Sequence, residues 1–126
     1  MTLTILGQIP SGKNQVKKAY RNGRLMSYPN KRFAIWREDA AKQILLECGR
    51  KAAGYTRPVA LHVNYWPGDQ RTRDVSGCLD ALFHLLVYTG VLKDDGLVHH
   101  VTWHRMAVSE FPKVCLELWE TTDVEV

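Results

Sequence analysis

The sequence predicts one α+β domain, a mixed or antiparallel β-sheet packed with two α-helices, in the order β, hairpin, α, β, α, β, β. Three observations carry this. Apolar residues recur at helical spacing in two stretches, residues 30–49 and 76–88. Short alternating or apolar runs near both ends and in the middle have the period of strands. An Asn22-Gly23 pair sits between two extended runs, as in a two-residue hairpin. The length of 126 residues suits a single domain over 1–126 that can bury a core without staples. With 45% hydrophobic and 24% charged residues, the composition is that of an ordinary globular chain.

In chain order, residues 2–9 (TLTILGQI) form the first strand, and Pro10 through Lys18 a loop. Residues 18–28 form a small basic hairpin, because Asn22 and Gly23 both tolerate positive φ. Asn30 is placed to cap a helix running to about Gly49. Phe33, Trp36, Ala40, Ile44 and Cys48 make its apolar stripe, which is core packing. Residues 58–66 alternate, with Val59, Leu61, Val63 and Tyr65 on one face. Pro67-Gly68 and a polar turn follow. The second helix runs from about Ser76 to Tyr88 with Leu79, Leu82, Phe83 and Leu86 inward, and Gly90 closes it. Residues 97–106 and 113–119 form two more strands, running antiparallel. No repeats, linkers or low-complexity segments interrupt this order.

Several function classes are set aside. No apolar run is long enough for a transmembrane helix. The N-terminus lacks the basic flank of a signal peptide. Cys48, Cys78 and Cys115 fit neither a disulfide framework nor a metal knuckle, so a reducing cytoplasm is the expected compartment. Residues 7–14, GQIPSGKN, nearly spell a P-loop, but Asn14 replaces the Mg²⁺-binding Ser or Thr. A phosphate-binding helix would also have to start right after Lys13, where a basic loop begins instead, so no nucleotide cofactor is expected. His100 and His104 share a strand face but lie about 13 Å apart along it, too far for one zinc ion. Trp66, Trp103 and Trp119 read as core residues on strands, and neither Ser11 nor Ser76 has a positioned His for nucleophilic chemistry.

The charge is uneven. Residues 1–37 contain Lys13, Lys17, Lys18, Arg21, Arg24, Lys31, Arg32 and Arg37 and no Asp or Glu. Beyond Lys113 come Glu117, Glu120, Asp123 and Glu125. A basic half of this kind suits a polyanionic partner. Residues 71–98 add acids, with Asp74 just before a helix and Asp94-Asp95 just after it. The helix is about 20 Å long, and residues 89–95 fully extended reach about 23 Å. The chain can therefore return along the helix and bring Asp95 near Asp74. Clustered carboxylates repel unless a cation or proton neutralises them, and such hard oxygen ligands suit Mg²⁺ or Mn²⁺. The same residues also serve as ordinary helix caps and turns.

The stretch resembles the RusA family of Holliday junction resolvases, dimeric Mg²⁺-dependent endonucleases often carried by phages and prophages. That family shows Asp-x-Asp-Asn, then a Lys, a helix ending near Gly, and an Asp-Asp pair before a strand. Asp74, Gly90 and GVLKDDGLV match in register. IPSGKNQVKK followed by KRFAIWREDAAKQI is similar to the family's opening loop, basic segment and amphipathic helix. The resemblance implies a homodimer that binds branched DNA, a four-way junction, and hydrolyses it in a bacterial or phage-infected bacterial cell. Asp74, Asp95, Asp94 and Asp80 would be catalytic, with Asp74, Asp95 and Asp80 on Mg²⁺ or its substitute Mn²⁺. Lys13, Lys17, Lys18, Arg21, Arg24, Lys31, Arg32 and Arg73 would contact DNA phosphates. The chain departs from the pattern at Ser76, Gly77 and Asp80, where the family has its second acid, its Asn and its Lys. Either Asp80 replaces the missing carboxylate, or the protein binds branched DNA without cutting it. Asp80 lies one turn before His84, a spacing at which the two can pair.

Overall fold

A computed structural model of the chain describes residues 1–10, 16–29, 31–48 and 54–121. The elements are β1 (Thr2–Leu6), β2 (Val16–Arg21), β3 (Arg24–Pro29), α1 (Lys31–Cys48), β4 (Val59–Trp66), α2 (Val75–Tyr88), β5 (Val98–Arg105) and β6 (Lys113–Glu120). This is the expected α+β order. Strands β1, β6, β4 and β5 form one mixed sheet in that spatial order, and β2 and β3 form a separate hairpin.

The hairpin turns where its sequence requires. Asn22 has φ 53° and Gly23 φ 76°, the double positive-φ turn that matches strand twist. The predicted Asn30 cap and the Gly49 end of α1 lie outside the described residues, and α1 itself fills the span between them. Its stripe of Phe33, Trp36, Ala40 and Ile44 is buried, with Ala41 beside it.

Three expectations need correction. The first strand stops at Leu6 rather than residue 9. Gly7 turns the chain with φ 114°, its N–H bonds to Pro112 O at 2.8 Å, and Ile9 then drops into the core. The last two strands run antiparallel but are not neighbours, because β4 lies between them. β4 pairs with β5 in parallel and with β6 antiparallel. Parallel neighbours need a crossover, and α2 supplies it. The loop to β6 is tied across the end of β4 by Met106 N to Tyr65 O and Ser109 N to Pro67 O. Finally, α2 buries Leu82 and Leu86 as expected, but with Cys78, Ala81 and Leu85 in place of Leu79 and Phe83. Those two are only half-buried at its flank. Almost every α2 position is apolar, so its period alone defines the inward face poorly.

The core joins the inward face of the sheet (Leu3, Ile5, Val59, Leu61, Val63, Tyr65, Val114, Leu116, Leu118) to both helices. α1 also closes the outer edge of β1. Gln43 accepts from Leu6 N (2.7 Å) and donates to Leu6 O (3.2 Å), and Glu47 accepts from Thr4 N at 3.2 Å. Thr4 N and both backbone groups of Leu6 are thereby paired on the side away from β6.

Candidate functional site

The acidic segment is built by two caps and a clamp. Asp74 caps α2, its Oδ1 accepting from Ser76 N at 3.1 Å. At the other end Gly90 takes φ 79°, the left-handed residue that stops a helix. The chain then reverses. Leu92 N bonds to Leu86 O, while Tyr55 N bonds to Val91 O and Lys93 N to Tyr55 O. Gly54 sits so close to this return that a Cβ there would lie 2.6 Å from Gly90 O. Asp94 then caps a short 3-10 turn, Asp95–Leu97, its Oδ1 accepting from Gly96 N at 3.3 Å.

The return is shorter than full extension allows, and it brings Asp94 and Asp95 to the middle of α2. There they line one open groove of about 430 Å³ with Asp80, Phe83, His84, Val87 and Tyr88. The structure thus gathers Asp80, Asp94 and Asp95. Asp74 does not line this groove and remains the cap at the helix start. Among the described residues, no three His, Cys, Asp or Glu side chains converge closely enough to hold a metal ion. The donor set is still right for Mg²⁺, which takes one or two carboxylates and keeps its waters.

Sequence reasoning missed the groove's other wall. His84 does not turn to Asp80. Its Nε2 is 3.5 Å from Arg37 Nη1 of α1, and its ring meets Phe33 and Tyr88. Arg37 lies 4.4 Å over the Tyr88 ring, and the Tyr88 hydroxyl donates to Glu38 at 2.6 Å. Partial burial, then the Arg37 charge, hold the His84 pKa below its usual 6.5. The Tyr88 hydrogen bond lowers the Glu38 pKa and raises that of Tyr88 itself.

The predicted DNA contacts divide. Lys13 lies outside the described residues. Lys17, Lys18 and Arg21 are on β2, and register puts Arg21 opposite Arg24. Arg24, Lys31 and Arg32 are exposed. Arg73 is half-buried, and its Nη2 donates to both Asp69 oxygens at 2.9 and 2.8 Å. Asp69 is held below the usual carboxylate range, first by the Arg71 backbone N–H and then by Arg73. Arg105 secures the same loop, bonding Arg71 O at 2.8 Å and Asp69 O at 3.2 Å. Beside it, burial pushes the pKa of the Tyr65 hydroxyl up.

No helix among the described residues is long and apolar enough to cross a membrane. No family model matches this chain, and no curated protein matches it.

Proposed function

We propose that this protein is a divalent-metal-dependent endonuclease acting on branched DNA, with the four-way junction as substrate and a homodimer as the working form. The observation that carries this reading is the convergence of Asp80, Asp94 and Asp95 on one groove. Support comes from the basic hairpin and the exposed start of α1, and from the resemblance of residues 71–98 to RusA resolvases.

Asp95 and Asp80 would hold Mg²⁺ or Mn²⁺ from the two walls of the groove, Asp94 would assist, and Asp74 is the acid matched by the family pattern. When bound, the ion lowers the pKa of a coordinated water and offsets charge on the phosphate oxygens. The protein's part is placement. The clamp at Gly54, Tyr55 and Gly90 fixes where the Asp94-Asp95 pair stands. Arg24, Lys31 and Arg32 supply phosphate contacts, which set orientation on the duplex without reading sequence. Two such sites in a two-fold dimer match the two-fold symmetry of a four-way junction.

One observation favours a second reading, binding without cleavage. Ser76 occupies the position of the family's second acid and lends its backbone N–H to Asp74. The test is cleavage of a labelled four-way junction in Mg²⁺ and in Mn²⁺, beside a linear duplex. The expected result is paired nicks on the junction alone, lost in Asp80→Asn and Asp95→Asn. Tight junction binding with no nicks in either metal would decide for the second reading.

A further inference from the structure

The groove wall formed by Phe83, His84, Val87 and Tyr88 has no part in the cleavage scheme above. It nevertheless holds His84 from three sides. Phe33 meets the imidazole edge-on, with centroids 5.1 Å apart and planes at 71°. Tyr88, one turn further along α2, lies nearly parallel to it at 6.0 Å and 14°. Arg37 Nη1 closes the third side at 3.5 Å from Nε2. Arg37 is braced in turn, with Nε 3.3 Å from Glu38 Oε1 and its guanidinium over Tyr88. An exposed histidine ordinarily samples several rotamers, and fixing it costs conformational entropy. Support of this kind is what a side chain needs to act in one geometry.

A guanidinium has donors only, so the ring nitrogen beside it is placed to accept. With Nε2 as acceptor, the neutral ring carries its proton on Nδ1. Among the side chains lining the groove, only His84 and Tyr88 bear an N–H or O–H donor. The Tyr88 hydroxyl is committed to Glu38 at 2.6 Å. The Nδ1–H of His84 is the donor that remains on a groove wall otherwise lined by acceptors and apolar carbon. A phosphodiester entering there meets three carboxylates and one neutral donor.

We propose that His84 is a catalytic residue that donates its Nδ1–H to a phosphate oxygen of the DNA in this groove, and that Arg37 is the positioning residue that fixes its tautomer. The proposal rests on the endonuclease reading and adds a residue that the carboxylates do not imply. A neutral ring suits the task, because an imidazolium would be drawn to the three carboxylates and away from the phosphate.

The test uses the full chain, a four-way junction with Mg²⁺ or Mn²⁺, and ¹⁵N-histidine NMR. His84→Ala is expected to slow cleavage of bound junction about 100-fold, the loss typical of one transition-state donor, a loss larger than any it causes in junction affinity. His84→Gln, which keeps an N–H, should recover part of the rate. Arg37→Ala should lose less and should move the His84 resonances away from the Nδ1–H tautomer. In the wild type that tautomer is expected, and its Nδ1 signal should shift when junction DNA is added. Wild-type cleavage that survives His84→Ala, or an Nε2–H tautomer in the free protein, overturns the proposal while leaving the endonuclease reading intact. If the wild type binds the junction but cuts nothing, the cleavage reading and the catalytic role of His84 fail together. A shifted Nδ1 signal then supports the DNA contact, and an unmoved one overturns it. Absence of junction binding overturns both.

Discussion

Replacing Gly54 by Ala tests how firmly the acid pair is placed. The new Cβ would lie 2.6 Å from the Gly90 carbonyl oxygen, closer than real Cβ contacts come. That oxygen belongs to backbone, so no side chain can swing aside, and residues 54–55 or 90–93 must move. Overpacking of this kind costs about 1–3 kcal/mol. The movement also strains Tyr55 N to Val91 O at 2.8 Å and Lys93 N to Tyr55 O at 3.1 Å, bonds worth about 1 kcal/mol each. Together these give roughly 2–4 kcal/mol. Gly90→Ala is the control. It meets no atom within 4 Å but must adopt φ 79°, a left-handed conformation that costs about 1 kcal/mol. Urea unfolding measures both, and at a slope of about 1–3 kcal/mol per molar Gly54→Ala should move the midpoint down by roughly 0.7 molar or more. It should also slow junction cleavage, because Asp94 and Asp95 follow the displaced segment. A Gly54→Ala protein as stable as wild type, or less affected than Gly90→Ala, would refute the claim that this close approach fixes the acid pair.

Other outcomes follow from the same geometry. Asp74→Asn keeps an oxygen for Ser76 N and should leave stability nearly unchanged, whereas Asp74→Ala should lose about 1 kcal/mol of cap stability in urea unfolding; equal losses would mean that charge, not the cap, matters there. His84 has a folded-state pKa below that of the unfolded chain, so acid protonates the unfolded state first. Its contribution to stability is complete above about pH 6.5 and declines as pH falls below that value. Unfolding at pH 7.5 and 5.5 should therefore differ more in wild type than in His84→Gln, and an equal difference would contradict the burial and charge assigned to the ring. Junction binding should weaken steeply with salt, and Arg24→Ala should reduce the log–log slope by about 1; an unchanged slope would remove Arg24 from the DNA surface.

The elements most legible from sequence were those with one strong local signal. Asn22-Gly23 could be little but a tight turn, and the β4 alternation admits one inward face. Gly90 marked the end of α2 because only a residue free of Cβ strain enters φ 79° readily. What stayed hidden depends on distant partners. The place of β4 between β5 and β6 is set by sheet pairing, which no local period encodes. The inward face of α2 was ambiguous because Leu79 and Phe83 are as apolar as Leu82 and Leu85. At the site, chain length showed that Asp95 could reach back along α2, but not how far. The Tyr55 bridge halts it beside Asp80, leaving Asp74 outside the groove. The Arg37–His84 contact joins residues from two helices and has no signature in either one. Arg73 looked available for DNA, yet Asp69, four residues earlier, already holds its guanidinium.

The Gln43 and Glu47 contacts with β1 also govern how copies of this chain can join. A sheet extends by offering unpaired N–H and C=O groups to an incoming strand. Thr4 and Leu6 already have side-chain partners on that side. An incoming strand would have to displace Gln43 and Glu47 before it could pair with either residue. Growth of the sheet into a fibre through this edge of β1 is thereby opposed.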